Sequence, residues 1–357
     1  MEKFIFTLFR TSRNSSKMLL KTGKITASKF IPYLLLLLYS IAAFHQVAFL
    51  KATFKWDYIS YYFPVRYYVS ECIRHGNMPL WMIYEGCGYP LYGDPQSGAW
   101  YPVVWIISLI HGYDIYAASF EFMLTIFIAG AGFYTLASGL KISRTVSFIT
   151  AVAYMSCGFF IGNAQHLTLL ISGAYLPFII HFYMRFISEL HYRDALCTAL
   201  FLFLMFTGGY PAIFFILFYF LLIIFIIKLI RRIYVSDRDF VKKFLSLHLL
   251  MIISFLLMSA VFLVSIFQCM PYSTRGGPIT LDDALLYAFT PQSMLSFITP
   301  FALQRNTPFF NTDVSMSNGY FGIVFLILLI YSLFDRKSKL QFLFLILSII
   351  FLAASLG

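Results

Sequence analysis

Residues 31–50 run for the length of a membrane span without one Lys, Arg, Asp or Glu. Eight further apolar stretches follow, at residues 115–140, 146–161, 167–187, 195–207, 212–227, 244–267, 319–334 and 340–356. A helix of about 20 apolar residues crosses the ~30 Å hydrocarbon core of a bilayer. Hydrophobic residues make up 60% of the 357-residue chain and charged residues only 11%; soluble domains carry roughly 45–50% and about 25%. One aqueous core cannot hide that much apolar surface. The chain reads as an all-α polytopic membrane protein, a helix bundle of about nine spans with two long outer loops, at residues 51–102 and 269–318.

Charge placement gives this bundle a direction. All but six of the 26 Lys and Arg residues fall in the basic tail at 1–30, in the short turns after the second, fourth, sixth and eighth spans or, for Arg185, at the end of the fourth span itself. The six are Lys51, Lys55, Arg66, Arg74, Arg275 and Arg305, all in the long loops. Lys and Arg stay on the cytoplasmic side, so the N-terminus is expected inside and both long loops outside. The same asymmetry accounts for the net charge of +11 without a nucleic-acid partner, for which neither a motif nor a basic stripe is present. A cleaved signal peptide has an apolar core of ~7–15 residues, so residues 31–50 are read as a retained first span. Residues 103–111 are too short to cross and are expected to lie in the interface or re-enter. The chain stops directly after an apolar run, and it is expected to be part of a longer protein.

In a chain this lipid-soluble, chemistry belongs in the polar, aromatic, Gly- and Pro-rich first loop. Val65, Tyr68, Val69, Cys72 and Ile73 follow the spacing of one helical face, with Pro64 near the start and Gly76 past the end. Such a helix lies flat on the outer membrane surface or packs on other protein. Asp57, seven residues beyond the first span, is placed to act as a general base toward a hydroxyl, or else is a solvated cap. Asp94 and Gln96 lie in Tyr92-Gly93-Asp94-Pro95-Gln96-Ser97-Gly98, where Gly-Asp-Pro favours a turn that Asp94 caps; both are candidate substrate contacts. His166, in a short outer loop, is a further candidate, weighed against a structural role. In the second loop, Arg275 beside glycines can offer a bidentate donor to a phosphate or neutralise the neighbouring pair Asp282-Asp283. Glu121, inside an apolar run, is an expensive placement unless the helix begins later.

The five cysteines show no CxxC and no HExxH occurs, so no metal site is spelled out. Cys72 and Cys87 share the first loop and could pair in an oxidising compartment. Cys157 and Cys197 lie in apolar runs.

The layout resembles the GT-C superfamily of membrane glycosyltransferases and, more closely, the bacterial YfhO-like membrane proteins. The stretches that carry the resemblance are Asp57…Tyr62-Phe63-Pro64, Gly76-Asn77-Met78-Pro79-Leu80-Trp81, Gly88-Tyr89-Pro90-Leu91 through Ser97, and Tyr101-Pro102. Gly162-Asn163…His166, Gly208-Gly209-Tyr210-Pro211, Ser273-Thr274-Arg275 and Tyr320-Phe321-Gly322 complete it, so that it covers nearly all of residues 31–357. The resemblance implies transfer of a sugar from a polyprenyl-phosphate donor to an envelope glycan, teichoic acid or lipid acceptor on the outer face. It makes Asp57 the base and Arg275 the contact to the donor phosphate; Asp94, Gln96, His166, Asp282 and Asp283 stand beside them as candidate substrate contacts read from their own positions in the loops. Family members often carry two acids at the first-loop position. Here Asp57-Tyr58-Ile59 supplies one, so no protein-built metal site is expected and Mg²⁺ or Mn²⁺ would bind only weakly, through one or two carboxylates and substrate phosphate. A transporter or flippase for a lipid-linked saccharide, and a non-catalytic scaffold for envelope assembly, are the competing readings.

Overall fold

The computed structural model describes residues 29–273, 277, 280, 288–304, 307–334 and 339–356. Eleven helices of nine or more residues organise them: α1 (Ile31–Ala43), α2 (Phe63–Arg74), α3 (Pro102–Ile110), α4 (Ile115–Gly139), α5 (Arg144–Met155), α6 (Leu167–Glu189), α7 (Tyr192–Gly208), α8 (Pro211–Tyr234), α9 (Arg238–Cys269), α10 (Ile323–Leu333) and α11 (Lys339–Ser355). No strand occurs among the described residues; one antiparallel bridge pairs Met82 with Tyr89. The chain is all-α and membrane-embedded, with several apolar helices. Among the described residues five helical stretches are long and apolar enough to cross a bilayer: Ile115–Gly139, Arg144–Gly162, Leu167–Glu189, Pro211–Tyr234 and Arg238–Tyr272.

The expected first span changes on folding, while other expectations hold. The run at 31–50 is helical only to Ala43, then continues as a separate turn over His45–Ala48; the His45 ring stands 3.1 Å from the Ala42 carbonyl at the break. Residues 103–111 form the nine-residue α3, about 14 Å long at 1.5 Å per residue, too short to cross. The turn at Gly208-Gly209-Tyr210-Pro211 separates α7 from α8, with Pro211 at a first-turn position where its missing N–H costs nothing. Lys228, assigned from sequence to a cytoplasmic turn, sits within α8, buried, with its ammonium 5.9 Å from the Phe240 ring centre.

The contacts divide the chain into two compact units, residues 35–155 with 163–278, and residues 1–34 with 156–162 and 279–357. In the larger unit α6 is central, packing on α4 and on α7, while α5 packs on α4 and α9 on α7. Close approach of α4 to α6 needs small residues, because lipid tails are as apolar as Leu and only tight packing distinguishes helix from lipid. At Gly132 an added Cβ would stand 2.9 Å from the Phe178 ring and 3.3 Å from the Ala174 carbonyl oxygen. Aromatic rings fill the α6–α7 seam, Phe178 stacking on Phe201 at 4.7 Å between centroids.

Pro177 sits inside α6, where its ring removes the N–H that would satisfy the Gly173 carbonyl one turn back. In lipid an unsatisfied carbonyl costs several kcal/mol. The Tyr154 hydroxyl on α5 donates to that carbonyl at 2.8 Å, so the proline is tolerated because a neighbouring helix replaces the lost donor.

In the smaller unit, the Phe289 N–H bonds the Ser355 carbonyl at 2.9 Å and Thr290 Oγ1 bonds the Phe310 carbonyl at 2.9 Å. The Ser296 hydroxyl accepts from Gly319 N at 2.9 Å. These bonds tie the loop before α10 to itself and to the end of α11.

Candidate functional site

The first loop packs on the larger unit through α2 and α3. Of the expected apolar face of α2, Val65, Val69 and Ile73 are buried, but Arg66 and Ser70 are buried with them, not Tyr68 and Cys72. The face turns toward protein. Ser70 Oγ accepts from Tyr113 N at 3.0 Å, and Arg66 forms an ion pair with Glu121 of α4. Tyr113 donates its hydroxyl to the other Glu121 oxygen. Glu121 thus lies within the helix, which starts at Ile115 as expected, and its charge is matched by a loop cation that the sequence reading left on the solvent side. Burial alone would lower the Arg66 guanidinium's proton affinity; the Glu121 carboxylate outweighs it and drives it up. Nε and Nη2 of Arg66 have no hydrogen-bond partner among the described residues and lie against Gly98.

Asp57 is set by an unusual backbone. Trp56, immediately before it, has φ of 53°, a conformation uncommon for a bulky side chain and associated with functional sites. Residues Tyr58–Tyr62 then form one π-helical turn leading into α2, a widened geometry that also clusters at functional sites. Asp57 precedes this turn without capping it through its side chain. Its carboxylate, 57% exposed, faces His166, with Oδ2 3.3 Å from Nδ1 of a ring that is 10% exposed. Asp57 is therefore neither a cap nor a lone loop acid.

The same turn aims three tyrosines. Tyr58 points inward and donates to the Ala118 carbonyl at 3.0 Å. Tyr61 donates to Asp94 Oδ2, and Tyr62 donates to Gln96 Oε1 at 2.9 Å while meeting the Thr168 hydroxyl at 3.1 Å. Asp94 Oδ1 accepts from Gln96 N at 2.9 Å, the turn-capping role its sequence suggests. Burial raises the Asp94 carboxyl, against the lowering effect of the Tyr61 hydroxyl and the Gln96 amide. Burial likewise pushes the Tyr62 hydroxyl up to about 12 and Tyr61 higher, Asp94's charge adding to the effect. Both phenols remain hydrogen-bond donors at neutral pH.

Four of the residues singled out from sequence thus converge: Asp57, Asp94, Gln96 and His166. They come from three segments: the start of the loop, the Gly-Asp-Pro turn, and the N-terminal boundary of α6. Tyr61, Tyr62 and Thr168, which join them, are not candidate site residues by sequence; the signals there are the run of aromatics between Asp57 and Pro64 and the place of Tyr62 in a stretch that carries the resemblance. Asp94, with both oxygens accepting hydrogen bonds, shapes the site, whereas Asp57 presents an open oxygen. Arg275, Asp282 and Asp283 lie outside the described residues. Cys72 and Cys87 are both free. No group of three or more His, Cys, Asp or Glu that could hold a metal occurs among the described residues. The residues present fit a divalent cation only where Asp57 supplies one oxygen and substrate phosphate and water supply the others. Compared with protein-family models, with curated proteins and with solved structures, the chain matches none.

Proposed function

We propose that this chain is a membrane glycosyltransferase that moves a sugar from a polyprenyl-phosphate-linked donor to a cell-envelope acceptor on the outer face. The observation that carries the reading is the convergence of an exposed carboxylate, Asp57, with Gln96, His166 and Tyr62 on a loop braced against span-length helices. Nine crossings with the N-terminus inside, as the charge asymmetry suggests, would put this cluster on the outer side, where a lipid-linked donor presents its sugar. The resemblance to GT-C and YfhO-like proteins points the same way. In the reaction Asp57 takes the proton of the acceptor hydroxyl as its oxygen bonds to the anomeric carbon. The bond from that carbon to phosphate breaks, and the electron pair leaves with the polyprenyl phosphate. Arg275 is the candidate for meeting the phosphate charge.

The reading is tested with the full chain in membranes and a panel of radiolabelled undecaprenyl-phosphate hexoses and N-acetylhexosamines. Transfer by the wild type and its loss in Asp57→Asn, at equal protein levels, is the expected result. Transfer undiminished in the variant would remove Asp57 from the chemistry. The buried Arg66–Glu121 pair, set inside an apolar bundle, favours a second reading, a lipid-linked saccharide transporter, since transporters build their sites from polar groups within the bundle. Movement of labelled donor across proteoliposome membranes without sugar transfer would select it.

A further inference from the structure

Asp57 as base is the reading on which this inference rests; what it adds is the part played by the ring beside it. His166 stands at the N-terminal boundary of α6, largely buried, while Asp57 is open to water. Nδ1 lies 3.3 Å from Asp57 Oδ2, and Nε2 lies 3.0 Å from Gln165 Nε2. An amide nitrogen donates and does not accept, so Nε2 is the accepting nitrogen and a neutral ring carries its proton on Nδ1, facing the carboxylate. If the Gln165 amide were turned over, its oxygen would require N–H at Nε2. A neutral ring would then set the Nδ1 lone pair against a carboxylate oxygen at 3.3 Å, two acceptors facing each other; only an imidazolium would relieve that. Whenever Asp57 is ionised, a hydrogen belongs on Nδ1.

The ring is also held in place. Leu167 is fully buried, and Thr168 bonds Tyr62 and Gln96, so the first residues of α6 are clamped to the turn that carries Asp57. Among the described residues Asp57 makes its one ion pair through Oδ2, to His166, and its side chain is 57% exposed, so Oδ1 is the oxygen left for a substrate.

We propose that His166 is a positioning residue: held by Gln165 with its proton on Nδ1, it fixes Oδ2 of Asp57 and leaves Oδ1 as the oxygen that receives the acceptor's proton. The ring touches neither sugar nor phosphate, and it neither gains nor loses a proton in the transfer. Bond making and breaking stay at the anomeric carbon, with the proton passing from acceptor oxygen to Oδ1.

The test has two arms. In the first, the full-length chain labelled with ¹⁵N-histidine is studied in detergent, the His166 signals being identified by their loss in His166→Asn. The expected spectrum has a protonated Nδ1 and an unprotonated Nε2 when the ring is neutral; the opposite pattern overturns the proposal. This arm needs no substrate and decides the tautomer even where no donor is turned over. The second arm measures sugar transfer from the undecaprenyl-phosphate panel. The Asn side chain of His166→Asn places an N–H close to the position of Nδ1, whereas His166→Gln places it near Nε2. His166→Asn is expected to retain most of kcat, and His166→Gln to lose about 100-fold with little change in KM, the scale of a small misplacement of a catalytic group. Equal rates in the two variants overturn the positioning role. Full activity of Asp57→Asn would instead overturn the base assignment, an outcome the nitrogen spectra do not share.

Discussion

The hydroxyls of Tyr62 and Thr168 meet at 3.1 Å across 106 residues of chain. Through Gln96, which takes the Tyr62 hydroxyl at 2.9 Å, this pair closes the start of α2, the Asp94 turn and the N-terminus of α6 into one cluster.

Removing the Tyr62 hydroxyl tests that closure. Tyr62→Phe leaves the Gln96 oxygen with Thr168 alone, at 3.4 Å. A partly buried acceptor stripped of its better donor costs about 1–3 kcal/mol. Thermal unfolding in detergent is expected to fall by that amount, and transfer activity to fall further than stability, because Asp57 rides on the same turn.

The Arg66–Glu121 pair behaves differently according to which partner is removed. Glu121→Gln leaves a guanidinium charge buried among Tyr58, Tyr101 and Tyr113 and is expected to cost about 3–5 kcal/mol. The double change Arg66→Met with Glu121→Leu is expected to be much milder, since replacing both charges by apolar groups of similar volume is often neutral. Denaturant unfolding of the two singles and the double, taken as a cycle, measures the coupling. A double variant as unstable as the sum of the singles would contradict it.

Two acids bend stability with pH in opposite directions. The Asp94 carboxyl is raised by burial, so the folded state binds its proton more tightly than the unfolded chain. Stability therefore falls as pH rises from about 4, the unfolded carboxyl value, through the raised folded value, and is level above it. Asp94→Asn keeps an acceptor for Gln96 N and is expected to remove that decline. For Asp114, burial would raise the carboxyl, but the Ala117 amide it caps and the nearby His111 bring it below its ordinary value. Its contribution is present above the unfolded value and lost as pH falls through the folded one. Asp114→Ala is expected to cost about 1 kcal/mol at neutral pH as a lost helix cap. Melting temperatures followed from well below pH 4, where the Asp114 contribution is lost, up to pH 7, where the Asp94 decline is complete, separate the two slopes.

Tyr154 and Pro177 form a coupled pair without touching charge. Tyr154→Phe strands the Gly173 carbonyl and is expected to destabilise by about 1–3 kcal/mol. In a Pro177→Ala background the helix supplies its own N–H to that carbonyl, so the same Tyr154 change is expected to cost a fraction of a kcal/mol. Equal costs in both backgrounds would show that the hydroxyl does not stand in for the missing amide.

The helices were legible because their causes are local. Residues 115–140 and 167–187 are long and apolar, and Asp114 before the first supplies a cap; the structure ends these helices within a few residues of the expected limits. Asp57, Asp94, Gln96 and His166 were legible as candidates by residue type and loop position, though each also had a structural role open to it, as the turn cap of Asp94 shows. Tyr62 and Thr168 were not. A tyrosine among tyrosines and a threonine in an apolar run carry no mark of the bond they make. Nor was the burial of Arg66, because helical spacing alone put the face of α2 about one residue away from where Glu121 draws it.

The sequence by itself determined that the chain lives in a membrane as a bundle of helices, because transfer of apolar side chains from water sums along each run regardless of what lies beside it. Only the tertiary structure decided which loop residues come together. Hydrogen bonds and ion pairs act over about 3 Å, a distance that spacing along the chain does not encode, and the approach of Asp57 to His166 is fixed by how α2, the Asp94 turn and α6 pack together.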